Sequence, residues 1–277
     1  MIDGLVLIGG GIVAGLFGSL LGLGGGILIV PLLTLVFNLP VLTAVGVSLI
    51  CVIVTSGAAA GVYLERHVAN LRLGMTLELF TAIGALVGGL VAFLLPERLL
   101  EVLFSVLLLY VSVTMLRRRD GGEQDVPAVL PDVSDQASTT ATDQSFEASL
   151  SGPDYRVRRL GFGLVGSVGA GVVSALLGIG GGLIKVPVMH VVMGVPLRVA
   201  TATSNLMIGI TASASAIIYL LRGGIDAYVA APTAIGVFLG ASLGSRIAHR
   251  IDLRILRGLF VVILLYTAWQ MLQRAAS

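Results

Sequence analysis

The sequence contains one pattern twice, 156 residues apart. Gly22-Leu23-Gly24-Gly25-Gly26 opens an apolar run ending at Pro31, and Gly178-Ile179-Gly180-Gly181-Gly182 opens one ending at Pro187. The same offset matches identical residues without a gap far outside the motif, among them Gly15 and Gly171, Pro40 and Pro196, Ser48 and Ser204, Thr55 and Thr211, and Tyr63 and Tyr219. Such a match indicates an internal duplication, so the chain is expected to fold as two copies of one unit.

The composition indicates that both copies lie in a membrane. Of the 277 residues, 56% are apolar and 12% charged, and the mean hydropathy is +1.03. Apolar runs of about 20 residues recur along the chain, and each can cross a hydrocarbon core of roughly 30 Å. We therefore predict an all-α polytopic membrane protein. Residues 3–23 align with 159–179, so we expect the start of the chain to belong to the fold.

Each repeat is predicted to contain five helical segments. They are residues 4–22, 27–37, 41–64, 72–95 and 98–116 in the first, and 158–178, 183–193, 197–221, 227–247 and 253–273 in the second. The glycine cluster breaks the helix because each interior glycine costs about 1 kcal/mol relative to alanine. The segment after it is too short to span upright. A Gly-rich hairpin or a broken helix is expected in each repeat.

The polar stretch 117–157 is predicted to be a loosely ordered linker between a first repeat, 1–116, and a second, 158–277. It is acidic, and its flanking arginines place it in the cytoplasm. Arginines around the last loop place that loop in the cytoplasm too. Both loops can lie inside only if the glycine segment crosses the membrane an even number of times. The two repeats are then inverted, with both termini outside.

The glycine clusters are the predicted substrate site. Inverted-repeat transporters bind substrates between their repeats at discontinuous helices, whose N-termini favour anions. The candidate glycines are Gly24, Gly25, Gly26, Gly180, Gly181 and Gly182. The alternative is that they only permit a tight turn and close packing.

Lys185 is the chain's single lysine, three residues after the second cluster, where the first repeat has Ile29. A cation in an apolar segment suggests a function, here holding an anion, and the alternative is snorkelling to the membrane surface. Ser48, Thr203, Ser204 and Asn205 are further candidate ligands, or else interhelical hydrogen-bonding groups. Thr55 and Thr211 are interpreted as structural.

Glu78 and His190 are the other ionisable residues singled out in apolar segments, and we consider them for proton coupling. The alternative for Glu78 is a neutral or interface-exposed carboxyl. Gly84, Gly88, Gly236, Gly240 and Gly244 have the spacing of helix-packing faces. The single cysteine, Cys51, excludes an intrachain disulfide and a multi-cysteine metal site. With no nucleophile–base pair or metal-spaced cluster in the sequence, an enzyme is not expected.

At these residues the chain resembles the sulfite exporter TauE/SafE family of bacterial membrane transporters. The doubled glycine motif, the stretch Ala200-Thr201-Ala202-Thr203-Ser204-Asn205 and the two-fold repeat about a polar linker carry the resemblance. It implies transport, usually export, of sulfite or organosulfonates such as sulfoacetate across the plasma membrane. The first repeat has Val-Gly-Val-Ser-Leu where the second has Thr-Ala-Thr-Ser-Asn, so the polar ligands are expected mainly from the second half.

The resulting hypothesis is a secondary transporter working by alternating access in the bacterial inner membrane. The alternative is an anion channel with a fixed filter made by the glycine hairpins. The expected partners are a small anion and the lipid bilayer, with no cofactor, metal or nucleic acid. Glycine-rich faces leave room for a homodimer.

Overall fold

The computed structural model describes residues 2–21, 25–65, 70–117, 150–151, 155–247 and 253–276. Ten helices form the described part: α1 (Ile2–Leu21), α2 (Gly26–Pro31), α3 (Val41–Glu65), α4 (Leu71–Ala92), α5 (Glu97–Arg117), α6 (Leu160–Leu177), α7 (Gly182–Pro187), α8 (Leu197–Leu221), α9 (Ala227–Ile247) and α10 (Leu253–Ala276). Six of them are long and apolar enough to cross a membrane by the residues described. The predicted polytopic all-α fold is confirmed, with helix ends within a few residues of those expected.

The duplication is visible in the backbone. α2 continues as a π-helical turn over Leu32–Val36, and α7 continues as one over Val188–Val192, again 156 residues apart. The turn after each is closed by equivalent hydrogen bonds, from Leu39 N to Leu33 O at 3.2 Å and from Val195 N to Met189 O at 3.0 Å. The two copies of the sequence therefore form two copies of one unusual local structure.

Each glycine segment is a hairpin. In the second repeat, Gly181 lies against the carbonyl of Ala170, and Gly163, a full two turns earlier on α6, lies against Met193. The Arg158 amide donates to Met193 O at 3.0 Å, so the chain after α7 is level with the start of α6. A hairpin that returns to its starting face contributes an even number of crossings, as the arginine distribution predicts.

The two repeats are inverted, which is clearest at the equivalent helices α3 and α8. Gly46, near the start of α3, packs on Gly224, beyond the end of α8. Ser56, further along α3, accepts from Gly209 N at 2.9 Å and lies 3.2 Å from Asn205 O, in the first half of α8. The two helices therefore run antiparallel at the centre of the molecule.

The repeats also interlock through glycines. α1 packs on α9, and α4 packs on α6, so that the first helix of each repeat lies against the fourth of the other. A Cβ at Gly84 would lie 2.1 Å from Val168 O, and one at Gly240 would lie 2.1 Å from Ile12 O. Only glycine permits these approaches, so the predicted helix-packing faces are confirmed.

α5 packs on α10, where the equivalent residues Phe104 and Phe260 are fully buried.

The end of the polar stretch is packed rather than loose. Residues 118–149 and 152–154 lie outside the described residues, but Leu150 and Val157 are buried in a cluster with Leu73 and Met193. The Asn70 side chain donates to Leu150 O at 2.8 Å and lies 2.7 Å from the Tyr155 hydroxyl. We call the face that carries these residues, where α4, α6 and α8 begin, the linker face.

Candidate functional site

The two glycine hairpins meet at the centre of the bundle. A Cβ at Gly26 would lie 2.6 Å from Gly178 O, so the backbones of the two hairpins are in contact. The Ser48 hydroxyl lies 2.8 Å from Gly178 O and 3.1 Å from Gly26 O, and it donates to one or the other. Ser48, a predicted ligand, thus joins the hairpins of opposite repeats.

The turn of the second hairpin depends on backbone conformations that favour glycine. Gly178, Gly180 and Gly181 have φ of +68°, +76° and +78°. A side chain at Gly180 would also collide with Val52 and Ile208. In the first hairpin, Gly25 has φ +73°, and the predicted ligand Gly24 lies outside the described residues. The glycines therefore have the turn-forming role that was the alternative to binding, and their backbone N–H groups remain candidate ligands.

Two buried hydroxyls beside the second hairpin have no hydrogen-bond partner among the described residues. The Ser204 Oγ on α8 lies 3.5 Å from the position that a Cβ at Gly182 would take, and the Ser174 Oγ on α6 lies 3.7 Å from the corresponding position at Gly181. Both residues are at most 1% exposed. Because buried polar groups are nearly always satisfied, these two hydroxyls beside one turn are candidate contacts for a group from outside the described residues.

Lys185 forms a buried ion pair with Glu78. Lys185 Nζ donates to Glu78 Oε2 and lies 3.1 Å from the Thr211 hydroxyl, which donates to Glu78 Oε1 at 2.6 Å. Lys185 is 2% exposed and Glu78 is 4% exposed, so snorkelling of the lysine and an interface-exposed carboxyl are both excluded.

The ion pair connects the repeats and occurs once. Glu78 comes from α4 of the first repeat, whereas Lys185 and Thr211 come from α7 and α8 of the second. The positions equivalent to Glu78 and Lys185 hold Ala234 and Ile29. The molecule is thus symmetric in backbone and asymmetric in charge.

The predicted polar patch on α8 divides among three neighbours. The Thr203 hydroxyl accepts a hydrogen bond from the backbone N–H of Asn70, at the start of α4, at 2.9 Å. The backbone carbonyl of Asn205 faces Ser56 on α3. The Ser204 side chain lies against the glycine hairpin, beside Gly182.

His190 lies apart from the ion pair. It is exposed, on the π-helical turn after α7, and its Nδ1 is 2.9 Å from Val195 O. Among the described contacts, the structure associates Glu78 with Lys185 and Thr211 and leaves His190 near the linker face.

Ser174 was not among the residues predicted from the sequence, and the contacts of Thr211 with the ion pair were not predicted either. Ser174 replaces Gly18 of the first repeat, and this gain of a hydroxyl next to the glycine motif was the available signal. Thr211 was interpreted as structural because it lies one to two turns beyond the polar patch, and the structure adds that its hydroxyl binds both members of the ion pair.

Comparisons with known proteins agree with this architecture. The family model described as sulfite exporter TauE/SafE matches residues 7–271. The chain is 24% identical to the probable membrane transporter protein YunE of Bacillus subtilis, over 97% of both chains. It is 26% identical to the probable membrane transporter protein MJ0441 of Methanocaldococcus jannaschii, over 89% of this chain and 87% of the relative. No solved structure matches. With inverted repeats, paired glycine hairpins and a family match over nearly its whole length, the chain belongs to the sulfite exporter TauE/SafE family of membrane transporters.

Proposed function

We propose that this membrane transporter carries a small sulfur oxyanion or organosulfonate, such as sulfite or sulfoacetate, out of the cell by alternating access. The observation that carries the proposal is the pair of unpartnered hydroxyls, Ser174 and Ser204, beside a glycine hairpin at the interface of two inverted repeats. This is the position at which inverted-repeat transporters bind their substrates.

The chemistry of the second hairpin suits a sulfonate or sulfite group. Such a group has three oxygen acceptors and little hydrophobic surface around them. The hydroxyls of Ser174 and Ser204 supply two donors, and the backbone N–H groups of Gly180–Gly182 supply others without an obstructing side chain. Lys185, one helical turn further along α7, supplies positive charge. A family described by sulfite export favours this class of anion over others.

The first hairpin has a different role. Its Gly26 is in contact with Gly178, and Ser48, the counterpart of Ser204, is already engaged by hairpin carbonyls. We therefore place the anion at the second hairpin, with Gly25, Gly26 and Ser48 forming the wall on which it rests. The Thr203 hydroxyl, which accepts from the backbone N–H of Asn70, stabilises the start of α4 rather than contacting the anion.

The packing at the centre favours a carrier over the alternative, a channel. The hairpin tips are buried and touch each other, which suits an occluded state. Inverted repeats provide two equivalent arrangements, open to either side, between which the repeats can rock.

We also propose the orientation. The linker face carries Arg72, Arg158 and Arg159, so it would be cytoplasmic in the inner membrane of a bacterium. α10 ends at the opposite face, where Arg274 bonds to Thr34 O and to Glu101. Both termini would then lie outside.

Flux in proteoliposomes tests the proposal. Vesicles are loaded in turn with unlabelled sulfite, sulfoacetate, methanesulfonate, sulfate or chloride, and uptake of the labelled anion is followed. We expect saturable uptake accelerated by sulfite or a sulfonate inside. Non-saturating flux of chloride and sulfate alike would indicate the channel, and absence of flux with every anion would overturn the substrate class.

A further inference from the structure

We propose that the Glu78 carboxylate is bound to Lys185 when the carrier is empty. An arriving anion displaces the carboxylate from Lys185, and the displaced Glu78 takes up a proton. One proton would then cross the membrane with each monovalent anion. This inference rests on the proposed function, because it needs an anion at the second hairpin.

The ion pair lies near the proposed substrate site, with the Lys185 ammonium beside Thr211, two turns after Ser204 on α8. Lys185 lies on α7, three residues after Gly182, and the unpartnered Ser204 Oγ lies beside Gly182. A lysine has a flexible four-carbon stem and three donors, so it can turn from one acceptor to another without moving its helix. The Glu78 carboxylate has the charge and the acceptor oxygens of the proposed substrate, and it is already bound to that lysine.

Charge balance requires the proton. With Glu78 and Lys185 both ionised the buried pair is neutral, and a monovalent anion arriving at Lys185 would leave one uncompensated negative charge. Uncompensated charge inside a membrane protein is costly. Addition of H⁺ to the displaced Glu78 carboxylate gives a neutral carboxyl group and restores neutrality. On release, the anion and the proton leave together, and the carboxylate returns to Lys185.

Few other titratable groups could perform this role. Of the elements packed on α4, α6 has none in its sequence, and α8 has Arg198 and Tyr219. The Tyr219 hydroxyl donates to a backbone carbonyl of α6, and His190, which follows α7, is exposed. Among the described contacts Glu78 has Lys185 as its charged partner, with the Thr211 hydroxyl on its other oxygen. Thr211 contacts both side chains and can stay with Glu78 when the lysine turns away.

The pair also ties substrate binding to the relation between repeats. Glu78 is fixed to α4 of the first repeat and Lys185 to the hairpin of the second. When an anion binds Lys185, the ion pair between the two repeats is broken. When the anion leaves, the ion pair forms again. Because the equivalent positions hold Ala234 and Ile29, there is one such exchange in each chain and hence one proton for each cycle.

The test uses wild-type protein and Glu78→Gln in proteoliposomes, with methanesulfonate as the probe. A sulfonate does not itself bind protons near neutral pH, whereas sulfite does. A lumenal pH dye reports protons, and labelled methanesulfonate reports the anion. For the wild type we expect one proton for each anion during net uptake, and no proton movement during counterflow.

In Glu78→Gln the amide resembles the protonated carboxyl and still accepts a hydrogen bond. We expect the counterflow rate to stay within about twofold of the wild-type rate. Net uptake should be about tenfold slower and should move no protons, because the empty carrier must return with an unpaired, buried lysine. Retained counterflow shows that the variant is folded. Glu101→Gln is the matched control, since Glu101 is also buried in an ion pair, with Arg274 at 3.2 Å, and should leave both fluxes unchanged.

The outcomes separate the two proposals. If wild-type protein shows no counterflow with methanesulfonate, sulfoacetate or sulfite, the proposed carrier fails and this inference fails with it. If wild-type counterflow is present but net uptake moves no protons, the carrier stands and the exchange at Lys185 is overturned. The same holds if Glu78→Gln transports protons with the anion. The wild-type measurement decides the matter even if Glu78→Gln does not fold.

Discussion

Glu78 and Lys185 lie 107 residues apart in sequence and on opposite repeats, yet they form one ion pair at the centre of the molecule. Both are almost completely buried. Burying two charges is costly, and their attraction compensates only when the remaining donors and acceptors are also satisfied. The Thr211 hydroxyl contributes to this by bonding to both side chains. An arrangement that hydrophobic residues could replace at no loss of stability is one that function is expected to retain.

The ion pair should show strong coupling in a double-mutant cycle. Lys185→Gln alone and Glu78→Ala alone each leave one buried charge, and each is expected to lower the free energy of unfolding by about 3–5 kcal/mol. Lys185→Gln combined with Glu78→Ala should cost clearly less than their sum, because no charge then remains. Thermal unfolding in detergent measures all three variants. Strictly additive losses would show that the two side chains do not interact.

The glycine contact between α4 and α6 should be sensitive to a single methyl group. A Cβ at Gly171 would lie 2.0 Å from Thr81 O, so Gly171→Ala is expected to cost about 1–3 kcal/mol through overpacking. Gly169→Ala, on the same helix, meets nothing within 4 Å and should be neutral or stabilising by up to about 1 kcal/mol. Melting temperatures of the two variants give the comparison. Equal effects would mean that α4 and α6 do not approach as closely as described.

The proposed orientation can be read from thiol labelling. Cys51 is buried, so the background with a membrane-impermeant maleimide should be low. Arg158→Cys lies at the linker face, and Arg98→Cys lies at the opposite face, where α5 begins; both residues are exposed. In right-side-out vesicles we expect labelling of the cysteine at position 98 and protection of that at position 158. The reverse pattern would place the linker outside, and labelling of both or neither would contradict the separation of the two faces.

The sequence predicted the helices and hairpins well because hydropathy, glycine clusters and the repeat offset are local or periodic signals. The inversion could be inferred as well, since arginine placement restricts the number of crossings. Partners across the bundle were harder to predict. Lys185 and Glu78 were each singled out as ionisable residues in apolar segments, with an exposed position left open for both, and no sequence pattern links positions on α4 and α7. Ser174 differs from its counterpart Gly18 in the sequence, but its position beside Gly181 is visible only in the structure.

The sequence also could not divide the patch at residues 203–205. Consecutive residues of a helix point about 100° apart, so the Thr203 side chain meets Asn70 whereas the Ser204 side chain meets the hairpin. Their common polarity suggested a common ligand. Which one faces the hairpin depends on the rotation of α8, which packing determines.

The half-saturation concentration for counterflow, measured in two double variants, tests most directly whether the second hairpin holds the anion. Ser174→Ala with Ser204→Ala removes the two unpartnered hydroxyls. Ser167→Ala with Ser215→Ala removes buried hydroxyls of the same helices, whose Oγ atoms instead bond to backbone carbonyls four residues earlier, at 2.9 Å and 3.2 Å.

We expect the first pair to raise the half-saturation concentration for the transported anion by about tenfold or more, since each hydrogen bond to a charged group contributes about 1.5–3 kcal/mol. The control pair should leave it within about twofold of the wild-type value, a difference of about 0.4 kcal/mol. An unchanged value in Ser174→Ala with Ser204→Ala, at normal expression and folding, would place the anion elsewhere and contradict the account.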